Sequence, residues 1–218
     1  MSSPGARSVD QMFNDPFDRF ALEYDQWFER NRWAYQSELS ALTNVVPKGR
    51  GVDIGSGTGR FSSHFNISVG VDPSIPMLRM ARERGLSTVQ GKAEDLPFRD
   101  GAFDFALLVT VLCFVSDPLT ALQEARRVVR LGGSISIGIL DRDSNPGRRY
   151  EEGAEGSRFY HQARFFSTAE VLELLEQAGC MVEGSYQTIF SDPGGLTAPE
   201  PVVKGHGAGL FVVISARV

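Results

Sequence analysis

Short, continuous apolar runs recur along this chain, and most are followed by a stretch whose apolar residues fall three and four apart. Runs near 50–54, 67–71, 87–90, 104–110 and 133–140 read as strands, and stretches near 58–64, 75–84 and 117–130 read as helices. Strand alternating with helix implies a parallel sheet with helices on both faces, since each parallel connection must cross over one face. The helix near 117–130 is clearly punctuated. Asp117-Pro118 opens it, Leu119, Leu122, Val128 and Val129 mark its buried side, and Arg126, Arg127 and Arg130 occupy its last turns before Gly132. Ser167-Thr168-Ala169-Glu170 has the form of a capping box, and Val171, Leu174, Leu175 and Ala178 continue a helix that ends at Gly179. Two further runs, 181–190 and 209–218, would complete the sheet as a hairpin-like edge across a Gly/Pro-rich loop at 192–207.

The N-terminal part has a different texture. Residues 1–12 are small and polar and read as a frayed end. From Pro16 to about Asn44 a helical stretch carries Phe17, Phe20, Tyr24, Trp27, Phe28, Trp33 and Tyr35, several of them at i, i+3 and i+4, as an amphipathic helix packed on a sheet requires. A second aromatic segment, Phe159-Tyr160-His161-Gln162-Ala163-Arg164-Phe165-Phe166, lies in an insert that follows the fifth strand. With Tyr160, His161 and Arg164 it suits either a small, partly polar pocket or an aromatic cluster under a long loop.

Candidate chemistry is concentrated where the first strand ends. Val52-Asp53-Ile54 runs into Gly55-Ser56-Gly57-Thr58-Gly59-Arg60. Glycines at alternate positions let the backbone turn sharply and approach a ligand, because no Cβ stands in the way. The third glycine of a dinucleotide fingerprint would fall at position 60, which is Arg60, so the spacing is G-x-G-x-G and favours S-adenosylmethionine over NAD. Asp72 ends the second strand, where a carboxylate can accept both hydroxyls of a ribose; Asp72-Pro73-Ser74 also reads as a helix start.

Taken in order, the glycine loop, Val-Gly-Val-Asp-Pro-Ser (69–74), Ala-Glu-Asp-Leu-Pro-Phe (93–98), Phe103-Asp104 and Leu131-Gly132-Gly133 resemble the class I S-adenosylmethionine-dependent methyltransferases, of the small group that includes ubiquinone and menaquinone methylases. The resemblance covers 52–141, and the chain after Asp141 matches only in outline. It implies a doubly wound, Rossmann-like α/β fold: a seven-stranded sheet with an antiparallel last strand, helices on both faces, and a small cap built from the N-terminal helix and the insert. A single domain, 1–218, would then comprise an N-terminal helical lid (1–44), a cofactor-binding core (45–141), a substrate-cap insert (142–168) and a C-terminal completion of the sheet (169–218). The cofactor implied is S-adenosylmethionine, held by Asp53, Gly55, Gly57, Gly59, Asp72, Pro73, Ala93, Glu94 and Val109, with Tyr24 and Trp27 lidding the sulfonium or the substrate. Relatives commonly carry Asp or Asn where this chain has Lys92, so the adenine contact passes to Glu94 or to the Ala93 backbone. They often show a His where this chain has Cys113, which could be an apolar liner, a nucleophile or a contact for a soft atom.

An activated methyl needs chiefly an aligned nucleophile, and alignment alone is worth roughly 7–11 kcal/mol, so no conspicuous dyad need appear. Where the acceptor arrives protonated a base is required. His161 is the candidate by residue type, since imidazole changes charge near neutral pH, and Tyr160 comes next.

Composition narrows the partners. At 218 residues with net charge −5 and pI about 5.3, the chain shows no basic face of the kind nucleic-acid binders carry. The arginines of 142–164 are nearly balanced by Asp143, Glu151, Glu152 and Glu155. Two cysteines and no long apolar run fit a reducing, cytoplasmic setting without membrane insertion, and scattered His64, His161 and His206 offer no zinc spacing. The expected partner is a small-molecule methyl acceptor, and an aromatic cap could also join two copies as a homodimer. The alternatives are a binding-only sensor or partner subunit, an NAD(P)-dependent oxidoreductase, or a macromolecular methylase.

Overall fold

The computed structural model describes residues 16–218, and the expectation for 1–12 lies outside them. Eight strands form one sheet, β1 (Gly51–Ile54), β2 (Val69–Asp72), β3 (Ser87–Gln90), β4 (Phe103–Val109), β5 (Val129–Leu140), β6 (Met181–Thr188), β7 (Val203–Lys204) and β8 (Phe211–Arg217), in the order β3-β2-β1-β4-β5-β8-β6-β7. The first five are parallel. β8 slots antiparallel between β5 and β6, so the two C-terminal strands pair with each other antiparallel and complete that end of the sheet as expected, with the later strand on the inside. The strand beyond the seven expected is β7, two residues from the Gly/Pro-rich loop that pair antiparallel with Tyr186 and Gln187.

Eight α-helices accompany the sheet among the described residues: α1 (Pro16–Arg19), α2 (Ala21–Arg30), α3 (Arg32–Leu42), α4 (Arg60–His64), α5 (Ile75–Glu83), α6 (Pro118–Val128), α7 (Asn145–Ala154) and α8 (Thr168–Gln177). The single N-terminal helix expected is therefore three, broken at Phe20 and Asn31, whose backbones leave the helical region. Ser167 and Glu170 form the capping box of α8.

The central strands are apolar at consecutive positions because both faces are covered. Ala106, Leu108, Ile135 and Ile137 pack toward α6 and α8 through Leu122, Ala125, Val171 and Leu175. Phe105, Leu107, Phe211 and Val213 point the other way, onto Ala34, Ala41 and Leu42 of α3. The strand order reverses between β1 and β4, and in open parallel sheets the crevice beyond the strand ends at such a point is where ligands bind. Here it lies between the glycine loop after β1 and Thr110 after β4.

Candidate active site

The glycine loop owes its shape to backbone demands. Gly55, Gly57 and Gly59 all have positive φ, +71°, +51° and +81°, and Gly55 N–H donates to Val71 O at 2.7 Å, tying the loop to the end of β2. A Cβ on Gly55 would lie 2.4 Å from Val111 Cγ2, whereas one on Gly57 would meet nothing nearer than Tyr24 Cε1 at 3.9 Å. Gly57 thus leaves a space that a ligand can fill. The Asp72 carboxylate accepts from Gly57 N–H at 2.9 Å and from Ser74 N–H at 2.8 Å, so it braces the loop at the place expected to grip a ribose.

Beyond these residues opens a cleft of about 710 Å³, within the roughly 300–1,000 Å³ usual for ligand pockets. Tyr24, Gly55, Gly57, Asp72, Pro73, Ala93, Glu94, Val109 and His161 all line it. Glu94 also accepts from Ser116 N–H at 2.8 Å, which holds the loop after β4 against the adenine end expected from the sequence. Gly59 and Asp53 stand outside the lining. Gly59 caps α4, and Asp53 is buried behind the loop, accepting from Ser62, with its pKa pushed up to about 7 mainly by burial and also by nearby Asp72. Their expected cofactor contacts are corrected to support of the loop from behind.

Asp25 was not foreseen. It accepts from Thr58 Oγ at 2.6 Å and from both Nε and an Nη of Arg60, at 2.8 and 2.7 Å, while Arg84 reaches the same carboxylate at 2.8 Å. Burial raises its pKa, but the bonds from Arg60 and Thr58 outweigh that and hold it at about 2. Arg60, which broke the dinucleotide spacing, is thus half of a clamp that fastens α2 to the glycine loop. The insert is fastened to the same lid. Arg158 pairs with Glu23 at 2.6 Å and stacks over Phe20, and Asp141 closes the base of the insert by accepting from Thr168 Oγ at 2.8 Å.

A methyltransferase-domain profile matches residues 52–137. A crystal structure from Thermotoga maritima, described as an S-adenosylmethionine-dependent methyltransferase and possible histamine N-methyltransferase, superposes with a TM-score of 0.90 at 49% identity, over 93% of this chain and 98% of that one. The chain belongs to the class I S-adenosylmethionine-dependent methyltransferases. An uncharacterised protein of Methanocaldococcus jannaschii is 48% identical to this methyltransferase over 201 residues, 92% of this chain and 98% of its own length. The ubiquinone/menaquinone biosynthesis C-methyltransferase of Stenotrophomonas maltophilia is 30% identical over 144 residues, 59% of this chain and 57% of its own. The oxidoreductase and binding-only alternatives give way here. S-adenosylmethionine is the cofactor of the methyltransferase, and Gly55, Gly57, Asp72, Ala93 and Glu94, which line the cleft, are the residues that would hold it there. Bound, it supplies a methyl group activated by a sulfonium.

Behind the cleft the methyltransferase has a second, smaller cavity of about 90 Å³, lined by Trp27, Phe28, Glu38, Phe61, Leu140, Tyr150, Tyr160 and Ile189, among others. Tyr24, Thr110 and Phe159 line both spaces and form their shared wall. Phe17 packs edge-on against Tyr24 and Phe114, and Tyr24 against Phe159, which joins lid, β4 loop and insert in one aromatic cluster. Thr110 and Ile189 are β-branched residues held at positive φ, +53° and +62°, a strain of about 1–2 kcal/mol each. Strain of this kind collects where geometry serves a ligand.

The two residues named as candidate bases are separated. Tyr160 lines the inner cavity, stacked on Phe165 and bonded to Tyr150, and burial pushes its phenol further above its usual value, so it stays protonated. His161 is exposed at the rim of the cofactor cleft, with Nδ1 3.1 Å from Arg158 O, and does not line the inner cavity. Cys113 donates to Thr110 O at 3.3 Å, and burial pushes its thiol up to about 12, which removes the nucleophile reading. Trp27 lines the inner cavity and not the cleft. His206 sits against Ser185, away from both. Among the described residues no helix is long and apolar enough to cross a membrane.

Proposed function

We propose that this methyltransferase transfers its methyl group to a small organic molecule held in the inner aromatic cavity. The observation that carries the reading is the shared wall: the cavity meets the cofactor cleft at Tyr24, Thr110 and Phe159, next to Val109 at the end of β4. A vestibule of about 410 Å³, lined by Pro146, Arg149, Gly153 and Asp192, abuts the cavity from the opposite side at Tyr150, Ser157, Tyr160 and Pro193. An acceptor entering there would reach the inner cavity without passing through the cofactor cleft. A walled cavity of this size favours a small acceptor over a protein or RNA. A nitrogenous acceptor such as the one named for the Thermotoga maritima protein is among the molecules of suitable size.

The chain's own contribution is to exclude water and fix orientation. Tyr24, Trp27 and Tyr160 give apolar walls with polar tips, Phe159 gives a wholly apolar one, and an aromatic face beside a cationic centre is favourable by about 0.5–2 kcal/mol. The test is methyl transfer from tritium-labelled S-adenosylmethionine into a cell extract separated into small-molecule, RNA and protein fractions. Label in the small-molecule fraction is expected. Label confined to RNA or protein would refute the assignment.

A further inference from the structure

Within the inner cavity one side chain stands apart. Glu38 lies on the buried stripe of α3 with Ala34, Ser37, Ala41 and Leu42, where it is the one ionisable residue, and it is only 6% exposed. Its carboxyl lines the cavity, and no hydrogen bond or ion pair from the described residues holds it there. Buried carboxylates are as a rule paired, since an unpaired one costs several kcal/mol. The groups facing it are Tyr24 from α2, Tyr35 from its own helix, Tyr150 from α7 and Tyr160 from the insert, all phenols and none cationic.

We propose that Glu38 is the acceptor-recognition residue, and that its missing partner is a basic nitrogen of the acceptor, an amine or an imidazole. This rests on the small-molecule reading above and narrows it. A protonated amine entering the cavity would bring the one charge that the site lacks, and the ring faces around it suit a cation. In so dry a space a neutral acid beside a neutral amine is favoured over the ion pair, so the proton passes to the carboxyl and the nitrogen lone pair is released. The N–C bond then forms from that pair as the C–S bond breaks and its electrons stay on sulfur. The positive charge of the sulfonium passes to nitrogen, and the proton taken by Glu38 leaves to solvent. Burial alone pushes the Glu38 carboxyl up to about 8, which makes it a stronger base than an ordinary carboxylate.

The experiment uses the full chain and Glu38→Gln, with Glu38→Asp as the conservative control. Calorimetric binding of S-adenosylhomocysteine reports the cofactor site and is expected to agree within twofold among the three. On protein saturated with S-adenosylhomocysteine, titration with small aromatic amines and imidazoles, and with matched phenols, thiols and carboxylic acids, is expected to show binding of the nitrogen bases alone, weakened at least 30-fold in E38Q. Methyl transfer to the best amine should lose at least 100-fold in kcat/KM in E38Q. The limb of its pH profile that rises through about 8 should vanish in E38Q and persist in E38D. Equal binding and kcat/KM in wild type and E38Q, or no amine binding to the saturated wild-type protein, would overturn the proposal. Turnover of phenols, thiols or acids instead of amines would overturn it while leaving small-molecule methylation standing. Label entering only RNA or protein would overturn both.

Discussion

Asp25→Asn tests the lid clamp, because it keeps shape and removes the charge that Arg60 and Arg84 share. The size of the effect can be reached in two ways. A carboxyl held at about 2 in place of 3.8 has its ionised form favoured by roughly 2.4 kcal/mol, at about 1.36 kcal/mol per tenfold. Removing one partner of a buried ion pair costs about 3–5 kcal/mol. The lower part of that range applies, since Arg60 also bonds Glu29 at 2.8 Å and Arg84 is partly exposed. A loss of about 2–3 kcal/mol results, which at about 2–4 °C per kcal/mol for a chain of this size lowers Tm by roughly 4–12 °C. The folded value lies below the unfolded one, so Asp25 contributes its full stability above about 3.8 and loses it as pH falls through about 2. The gap between wild type and D25N should therefore be steady at neutral pH and shrink in strong acid. Thermal unfolding, with and without S-adenosylhomocysteine, measures this, and calorimetry should show that ligand bound about tenfold more weakly as the glycine loop loosens. A Tm within 1 °C of wild type, with affinity within twofold, would refute the clamp.

The same geometry sets other outcomes. Gly57→Ala should fold with a penalty of about 1 kcal/mol for its positive φ yet bind S-adenosylhomocysteine at least tenfold more weakly, because the new methyl projects into the cleft; Gly55→Ala, which meets Val111 at 2.4 Å, should lose substantially more stability in the same melts. Thr110→Gly should leave Tm unchanged or raised by a few degrees, strain relief of about 1–2 kcal/mol outweighing glycine's added chain entropy, while methyl transfer drops about tenfold as the shared wall softens; a clear fall in Tm would show that the position is not strained. Cys113 should resist iodoacetamide for hours at pH 8 by mass spectrometry, and Cys113→Ala should keep most of its activity, because a thiol pushed to about 12 has almost no thiolate at that pH.

The features legible in the sequence are those that the backbone and the core impose locally. Central strands announce themselves because both faces are covered, and the glycine loop because only glycine accommodates its three positive φ angles. β7 was illegible, since Val203 and Lys204 are both exposed and two residues make no pattern. β5 begins at Val129, earlier than its apolar run suggests, because Val129 pairs with Phe103 across an irregular register and Gly132 donates to Val218 O. The breaks at Phe20 and Asn31 carry no Gly or Pro to mark them. Asp25 could not be singled out, because its partners Thr58, Arg60 and Arg84 come near only on folding. Glu38 did leave a signal: a charged residue on a stripe whose other members, Ala34, Ser37, Ala41 and Leu42, are all uncharged asks for a partner. His161 drew attention by residue type alone, and type says nothing of which cavity a side chain lines.

Tyr24 and Asp25 are consecutive residues of α2, and this places the two halves of the site under one short piece of helix. Asp25 fixes the glycine loop that cradles the cofactor, and Tyr24 forms part of the wall that the cofactor cleft shares with the inner cavity. Loosening the clamp must then also move the ring that bounds the acceptor. D25N is expected to weaken S-adenosylhomocysteine and to raise the acceptor KM several-fold together, whereas E38Q, on the far wall, should change acceptor parameters and leave S-adenosylhomocysteine alone. Initial rates over a grid of cofactor and acceptor concentrations separate the two patterns. If D25N alters only the cofactor terms, the helix does not couple the cavities, and Tyr24 is held in place by the aromatic cluster of Phe17, Phe28 and Phe159 without help from the clamp.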